Sequence, residues 1–152
     1  MKPSAYNLYL LAKIPIAFLA GVRVKKLSPQ SCTTRVALSY LSQNPFQSMF
    51  WAVQGMAGEF STGILLADLI SRRDLKVSML VRENSAVFTK KARGKITFTC
   101  SEGEAITRAL DTLTLHQEPL ILELHSKGVD ASGDTVSEFT FVWSLKLKAA
   151  VV

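Results

Sequence analysis

The stretch NPFQSMFWAVQGMAGEF, residues 44–60, decides how the chain is read. Its Asn-Pro opening suits a helix start, because proline fixes φ and lacks an amide that a first helical turn leaves unpaired anyway. Apolar residues then continue at helical spacing, which predicts one long helix from about Phe46 to Ser71. Gly55, Gly58 and Gly63 lie inside it, and each costs a helix ~0.8–1 kcal/mol relative to alanine. Three such costs in one apolar helix predict close approach by another backbone, such as a sheet wrapped round it. Glu59 is the first acidic residue of the chain, and it stands where the pattern otherwise calls for burial.

Strand patterns flank the helix. Before it, an N-terminal helix over about residues 5–20 leads through Gly21 to a short strand, VRVKKL. TTRVALSY then alternates Val36, Leu38 and Tyr40 against Arg35, Ala37 and Ser39, the mark of a half-buried strand. After the helix come a long strand, KVSMLVRENSAVFTKKA, with a bend or bulge near Asn84, and GKITFTC, alternating Ile96, Phe98 and Cys100 inward. A short helix, EGEAITRALDTL, carries acids in its first turn, where the dipole favours them. PLILELHSK and SEFTFVWSLKLKA form a hairpin round GVDASGD, with Phe139, Phe141, Trp143, Leu145 and Leu147 on one face. One antiparallel sheet and one apolar helix bury each other if the sheet curls round the helix.

Bulk properties limit the partners. A chain of 152 residues, 48% hydrophobic and 20% charged, suits a single domain with a substantial core. The net charge of +6 is uneven: residues 1–58 hold six basic residues (Lys2, Lys13, Arg23, Lys25, Lys26, Arg35) and no acid. Such a front end favours an anionic ligand or surface. Without a dense Lys/Arg run or a zinc or RNA-binding signature, nucleic acid is not an expected partner. Cys32 and Cys100 make neither a disulfide framework nor a metal pair and are expected as small buried hydrophobes. Lys13 and Pro15 break the N-terminal apolar run, so it reads as a helix packed on the domain rather than a signal peptide or a membrane span. The expected location is cytoplasmic. His116 and His125 stand in no triad or metal-ligand spacing, and no metal is expected.

NPFQSMFWAVQGMAGE resembles a segment of hotdog-fold thioesterases of the phenylacetyl-CoA type, in which Asn precedes His-Gly-Gly by six residues and a carboxylate follows the His by nine. Here Asn44 stands six before Phe50, and Glu59 nine after it. SAVFTKKARGKITFTC is similar to that family's strand-turn-strand at the acyl-CoA entrance, and VSEFTFVWSLK resembles the last strand of an uncharacterised thioesterase-like branch. The resemblance runs over roughly residues 30–148, in element order more than identity. It implies an α+β hotdog fold: a six-stranded antiparallel sheet round the long helix in a single domain.

The resemblance also implies a chemistry. Thioester hydrolysis needs a nucleophile, a base for water, and donors for the developing oxyanion. By the resemblance, Glu59 is base or nucleophile and Asn44 holds the carbonyl or the water. Phe50, Trp51 and Ala52 replace His-Gly-Gly, so the polarising backbone amide belongs to Trp51, whose side chain narrows the approach. Gln47 and Ser48 could add hydrogen bonds. Lys90, Lys91 and Arg93 in TKKARGK would hold coenzyme A phosphates, coenzyme A being part of the substrate rather than a cofactor. The partners implied are an acyl-CoA or acyl-carrier thioester and a second subunit, in a homodimer or tetramer. Asn44 and Glu59 are fifteen residues apart, about 20 Å if mostly helical, so the site would be shared between subunits. Two other classes stand beside the thioesterase: a non-catalytic hotdog module binding acyl groups or another apolar ligand, and a basic peripheral membrane protein.

Overall fold

A computed structural model describes residues 2–148. Its elements run α1 (Pro3–Lys13), α2 (Pro15–Leu19), β1 (Arg23–Leu27), β2 (Cys32–Ala37), α3 (Trp51–Arg72), β3 (Val77–Phe88), β4 (Lys95–Cys100), α4 (Gly103–His116), β5 (Leu120–Val129) and β6 (Thr135–Leu147). The strands form one sheet in the order β1-β2-β4-β5-β6-β3, with every pairing antiparallel. The 22-residue α3 lies against that sheet and touches β1, β2, β4, β5 and β6. This is the hotdog arrangement.

Alternation in the strands sets what faces α3. Ile96, Phe98 and Cys100 of β4 point inward, as do Phe139, Phe141, Trp143 and Leu145 of β6, all buried. The three helix glycines meet aromatic rings, not the backbone expected from the sequence. A Cβ at Gly55 would lie 3.6 Å from Phe139, one at Gly58 3.4 Å from Phe139 and Phe141, and one at Gly63 3.0 Å from Trp143. Side chains wide enough to fill the space above a glycine keep helix and sheet in contact.

Polar rungs fix the helix on the sheet. Thr34 Oγ1 donates to the Ala57 carbonyl at 2.7 Å, and Ser61 Oγ lies 2.7 Å from Ser126 Oγ. Ser137 Oγ donates to Gln54 Oε1 at 2.8 Å, and the Trp143 indole N–H to Thr62 Oγ1 at 3.2 Å. Within the described residues no buried side-chain polar atom lacks a partner, so these groups avoid the ~1–3 kcal/mol penalty of an unmade bond.

Several boundaries differ from expectation. The N-terminal helix is two helices, broken at Ile14 (φ −136°, ψ 63°), because Pro15 disfavours helical geometry in the residue before it. β2 ends at Ala37, where the Ser42 hydroxyl receives the Ser39 amide and donates to the Ala37 carbonyl; Tyr40, expected to share the buried face of Val36, is exposed. The long helix starts at Trp51 rather than Phe46, for reasons that belong to the site. β3 does bulge, between Val81 and Glu83, close to the expected Asn84. No helix of the described residues is long and apolar enough to cross a membrane.

Candidate active site

Residues 43–49 form a closed loop, not a helical turn. Gln43 and Met49 make an antiparallel bridge, the Asn44 amide bonds the Ser48 carbonyl at 2.8 Å, and Gln47 takes a left-handed conformation (φ 58°). Asn44 organises it. Its Oδ1 accepts the Phe46 amide at 2.9 Å and the Ser48 amide and hydroxyl at 3.2 Å each, while Nδ2 reaches the Met49 carbonyl at 3.5 Å. This is the Asx-turn chemistry that makes asparagine frequent in such loops. Oδ1 is thus crowded with donors, while one Nδ2 proton has no acceptor among the described residues. Of the two further donors expected here, Ser48 is buried against Asn44 and Gln47 is exposed on the turn.

The loop delivers the chain to the first turn of α3. Phe50 is its N-cap, with a carbonyl that accepts the amides of Val53 and Gln54. The amides of Trp51 and Ala52 have no acceptor among the described residues. They therefore stand as two free donors at the positive end of a 22-residue helix. Trp51, but not Ala52, borders a cleft of about 520 Å³ lined also by Asn44, Phe46, Gln54, Phe88 and Lys90 among others. The Phe50 and Trp51 rings meet edge to face, 6.0 Å between centroids, and both are partly exposed. Gln54, which sequence reasoning passed over, is buried between Ser137 and the Met49 carbonyl, which it reaches at 3.2 Å, and so ties the loop to β6.

The basic turn borders the same cleft. Lys90 and Lys91 line it; Arg93, also exposed, does not. The Lys90 ammonium is already engaged, 2.6 Å from both Asp130 Oδ2 and Asp134 Oδ2, and those hydrogen bonds raise its pKa. Lys91, Arg93 and Lys95 carry no ion pair among the described residues.

Glu59 lies elsewhere. It opens into a second cleft, about 600 Å³, walled by Tyr6, Tyr9 and Ile14 of the N-terminal helices, Phe60 and Ile64 of α3, and Met79 and Trp143 of the sheet. Burial pushes its carboxyl pKa above the ordinary carboxylate value. Among the described residues no cation or side-chain donor engages it. The separation of Asn44 and Glu59 is shorter than the sequence suggested, since only Trp51–Glu59 of that interval is helical. Eight residues of rise still put ~12 Å between the free amides and the carboxylate. Within one chain the structure thus brings together Asn44, Trp51, Lys90 and Lys91, but not Glu59.

The histidines differ from expectation in one respect. His125 Nδ1 lies 3.0 Å from Glu102 and Nε2 3.3 Å from Glu123 on the outer face of the sheet, and the Glu102 hydrogen bond leads the raising of its pKa. Both ring nitrogens have carboxylate neighbours, so the ring links β5 to the start of α4. The pairing of His125 with Glu102, across 23 positions, was not legible in the sequence. No group of three metal-ligating side chains occurs among the described residues.

No protein-family model and no curated protein sequence matches the chain. Solved structures do. A Pseudomonas aeruginosa protein of unknown function, described as a "Probable Thioesterase", superposes with TM-score 0.81 over 97% of both chains at 20% identity. A Haemophilus influenzae thioesterase superposes with TM-score 0.76 over 99% of this chain and 94% of its own, at 8% identity. A Staphylococcus aureus thioesterase enzyme, solved with a glutamine replaced by alanine, gives 0.67 over 87% and 98% at 13% identity. The same S. aureus protein has also been solved with a glutamate replaced, fifteen positions further along its chain. At these identities what is shared is the fold, and the chain has the hotdog fold found in thioesterase-like structures.

Proposed function

We propose that the protein is an acyl thioesterase, acting on an acyl-CoA or acyl-carrier thioester, whose active site is completed by a second copy of the chain. Asn44 and the free amides of Trp51 and Ala52 come from one subunit and Glu59 from the other. The observation that carries this reading is the placement of β3. It is an edge strand of 12 residues paired, among the described residues, only with β6. Met79, near its start, borders the Glu59 cleft, and Phe88, at its end, borders the Asn44 cleft. Antiparallel pairing of β3 with its own copy about the strand's middle lays the Met79 end of one against the Phe88 end of the other. Each Glu59 cleft then adjoins the partner's Asn44 cleft, twice by symmetry. The fifteen-residue separation of Asn44 and Glu59 also equals that between the two residues replaced in the S. aureus thioesterase.

The chemistry follows from the groups. Glu59, its pKa raised by burial, takes a proton from water as the water oxygen attacks the thioester carbon. The Trp51 and Ala52 amides stabilise the oxyanion, a job for preorganised donors that need not reorient. The carbon–sulfur bond then breaks, and the protonated Glu59 returns its proton to the leaving thiolate. Attack by the Glu59 carboxylate itself would use the same groups. Lys91 and Arg93 would meet the phosphates of a coenzyme A arm. The test is thiol release from a panel of acyl thioesters by wild type and Glu59→Gln. Turnover that falls about 10²-fold or more in the variant supports the reading; no release from any thioester contradicts it. A non-catalytic acyl-binding module is the second reading, favoured by the Phe50 and Trp51 rings at the cleft and by the saturation of Asn44 Oδ1.

A further inference from the structure

We propose that α1 and α2 form a peripheral docking face for an anionic lipid surface. The inner side of α1 is fully used. Tyr6 and Leu10 are buried, and the Asn7 carboxamide both donates to the Val24 carbonyl (3.0 Å) and accepts the Val24 amide (2.8 Å), closing the edge of β1. The outer side is left apolar. Leu8 and Leu11, one turn apart on α1, are 66% and 46% exposed, and Ile16 and Leu19, one turn apart on α2, are 68% and 66% exposed. Ser4 and Ala12 share that side of α1 and bring no charge. Four large aliphatic side chains are thus exposed on these two consecutive helices.

The second helix is held rigidly. The Arg23 guanidinium donates to the carbonyls of Phe18 (2.7 Å) and Val22 (2.8 Å) and stacks on the Phe18 ring at 3.5 Å, locking α2 to β1. Lys2 and Lys13 flank α1, and Lys25 and Lys26 are exposed on the neighbouring β1. None of these lysines has an ion-pair partner among the described residues. Neither β1, β2 nor β4 carries a carboxylate.

Charge decides the occupant. A second copy docking through this face by a two-fold axis would set lysines against lysines. An anionic bilayer satisfies both features, taking the aliphatic side chains into the headgroup boundary while the lysines stay at its surface. At 11 residues α1 is ~16 Å long, about half the hydrocarbon thickness, so it lies along the surface rather than crossing it. The inner wall of the same helices, Tyr9 and Ile14, lines the Glu59 cleft, but docking does not depend on chemistry there.

The test is cosedimentation of the full chain with vesicles of phosphatidylcholine alone or of phosphatidylcholine mixed with phosphatidylglycerol, which contain no thioester. Partitioning onto the anionic vesicles is expected to exceed that onto the neutral ones about tenfold or more and to weaken with salt. Leu8→Gln/Leu19→Gln and Lys25→Glu/Lys26→Glu should each cut it about tenfold, with thermal unfolding unchanged because all four positions are exposed. Three results overturn the proposal: no binding to either vesicle, equal binding to both, or binding unaffected by both variants. A change in oligomeric mass on Leu8→Gln/Leu19→Gln, without a change in vesicle binding, would assign the face to a second copy instead.

Discussion

Two helical glycines should respond to alanine in opposite directions. Gly103 opens α4 against the β1–β2 turn, where a Cβ would sit 2.0 Å from the Pro29 carbonyl oxygen and 2.7 Å from Gln30 Cα. Both neighbours are backbone and cannot swing aside. The Gly103 amide also bonds the Gln30 carbonyl at 3.0 Å, and the displacement that relieves the clash breaks that bond. Overpacking costs ~1–3 kcal/mol and the lost hydrogen bond ~0.5–1.5, against a helix-propensity gain of at most ~1. The net is about 0.5–3.5 kcal/mol of destabilisation, or roughly 1–14 °C in Tm for a chain of this size. A Cβ at Gly58 would have the Phe139 and Phe141 rings as its nearest neighbours at 3.4 Å, an ordinary contact, and Gly58→Ala should gain ~1 kcal/mol, about 2–4 °C. Denaturant unfolding of the three proteins, with midpoints compared at constant m, is the assay. A neutral Gly103→Ala or a destabilised Gly58→Ala would refute this account of the packing.

Cys32 and Cys100 pair across β2 and β4, fully buried, and burial pushes each thiol up to about 12. Native protein should therefore resist a thiol reagent at pH 8 and label only at the rate of unfolding; fast labelling would place the thiols nearer solvent. Glu59 has a raised pKa, so the native state holds its proton above the pH where the unfolded chain releases it. Its contribution to stability is whole below the unfolded value of ~4.3 and is lost as pH rises through the native one. Glu59→Gln should gain on wild type across that window, and parallel pH–stability curves would contradict it. At the basic turn, Lys91→Ala/Arg93→Ala should raise KM several-fold for coenzyme A thioesters and little for short thioesters without the nucleotide. Equal effects would make the turn an ordinary solvated surface.

The fold was legible because its signals are local and periodic. Alternation in β4 and β6 marked the faces that bury Phe98 and Trp143, and the density of glycine in α3 marked a close neighbour. What filled the space above those glycines was not legible, since aromatic side chains and backbone leave the same sequence trace. The start of α3 was misplaced because Pro45 suits a turn as well as a first helical position. A left-handed Gln47 and the Gln43–Met49 bridge decided for the turn. For the site, the free amides at Trp51 and the burial of Glu59 follow from local pattern. The Gln54–Ser137 contact and the Lys90–Asp130–Asp134 clasp join residues 40 or more positions apart, where periodicity carries no information.

The shared active site is tested most directly by subunit mixing. Asn44→Ala and Glu59→Ala proteins should each be nearly inactive alone, with Asn44→Ser checked for folding because Asn44 also closes the 43–49 loop. Co-refolded at equal amounts, half the dimers are mixed, and each mixed dimer regains one intact site of two. The account predicts recovery of about a quarter of wild-type thioester turnover. No recovery, with subunit exchange demonstrated and wild-type turnover measurable, would contradict it.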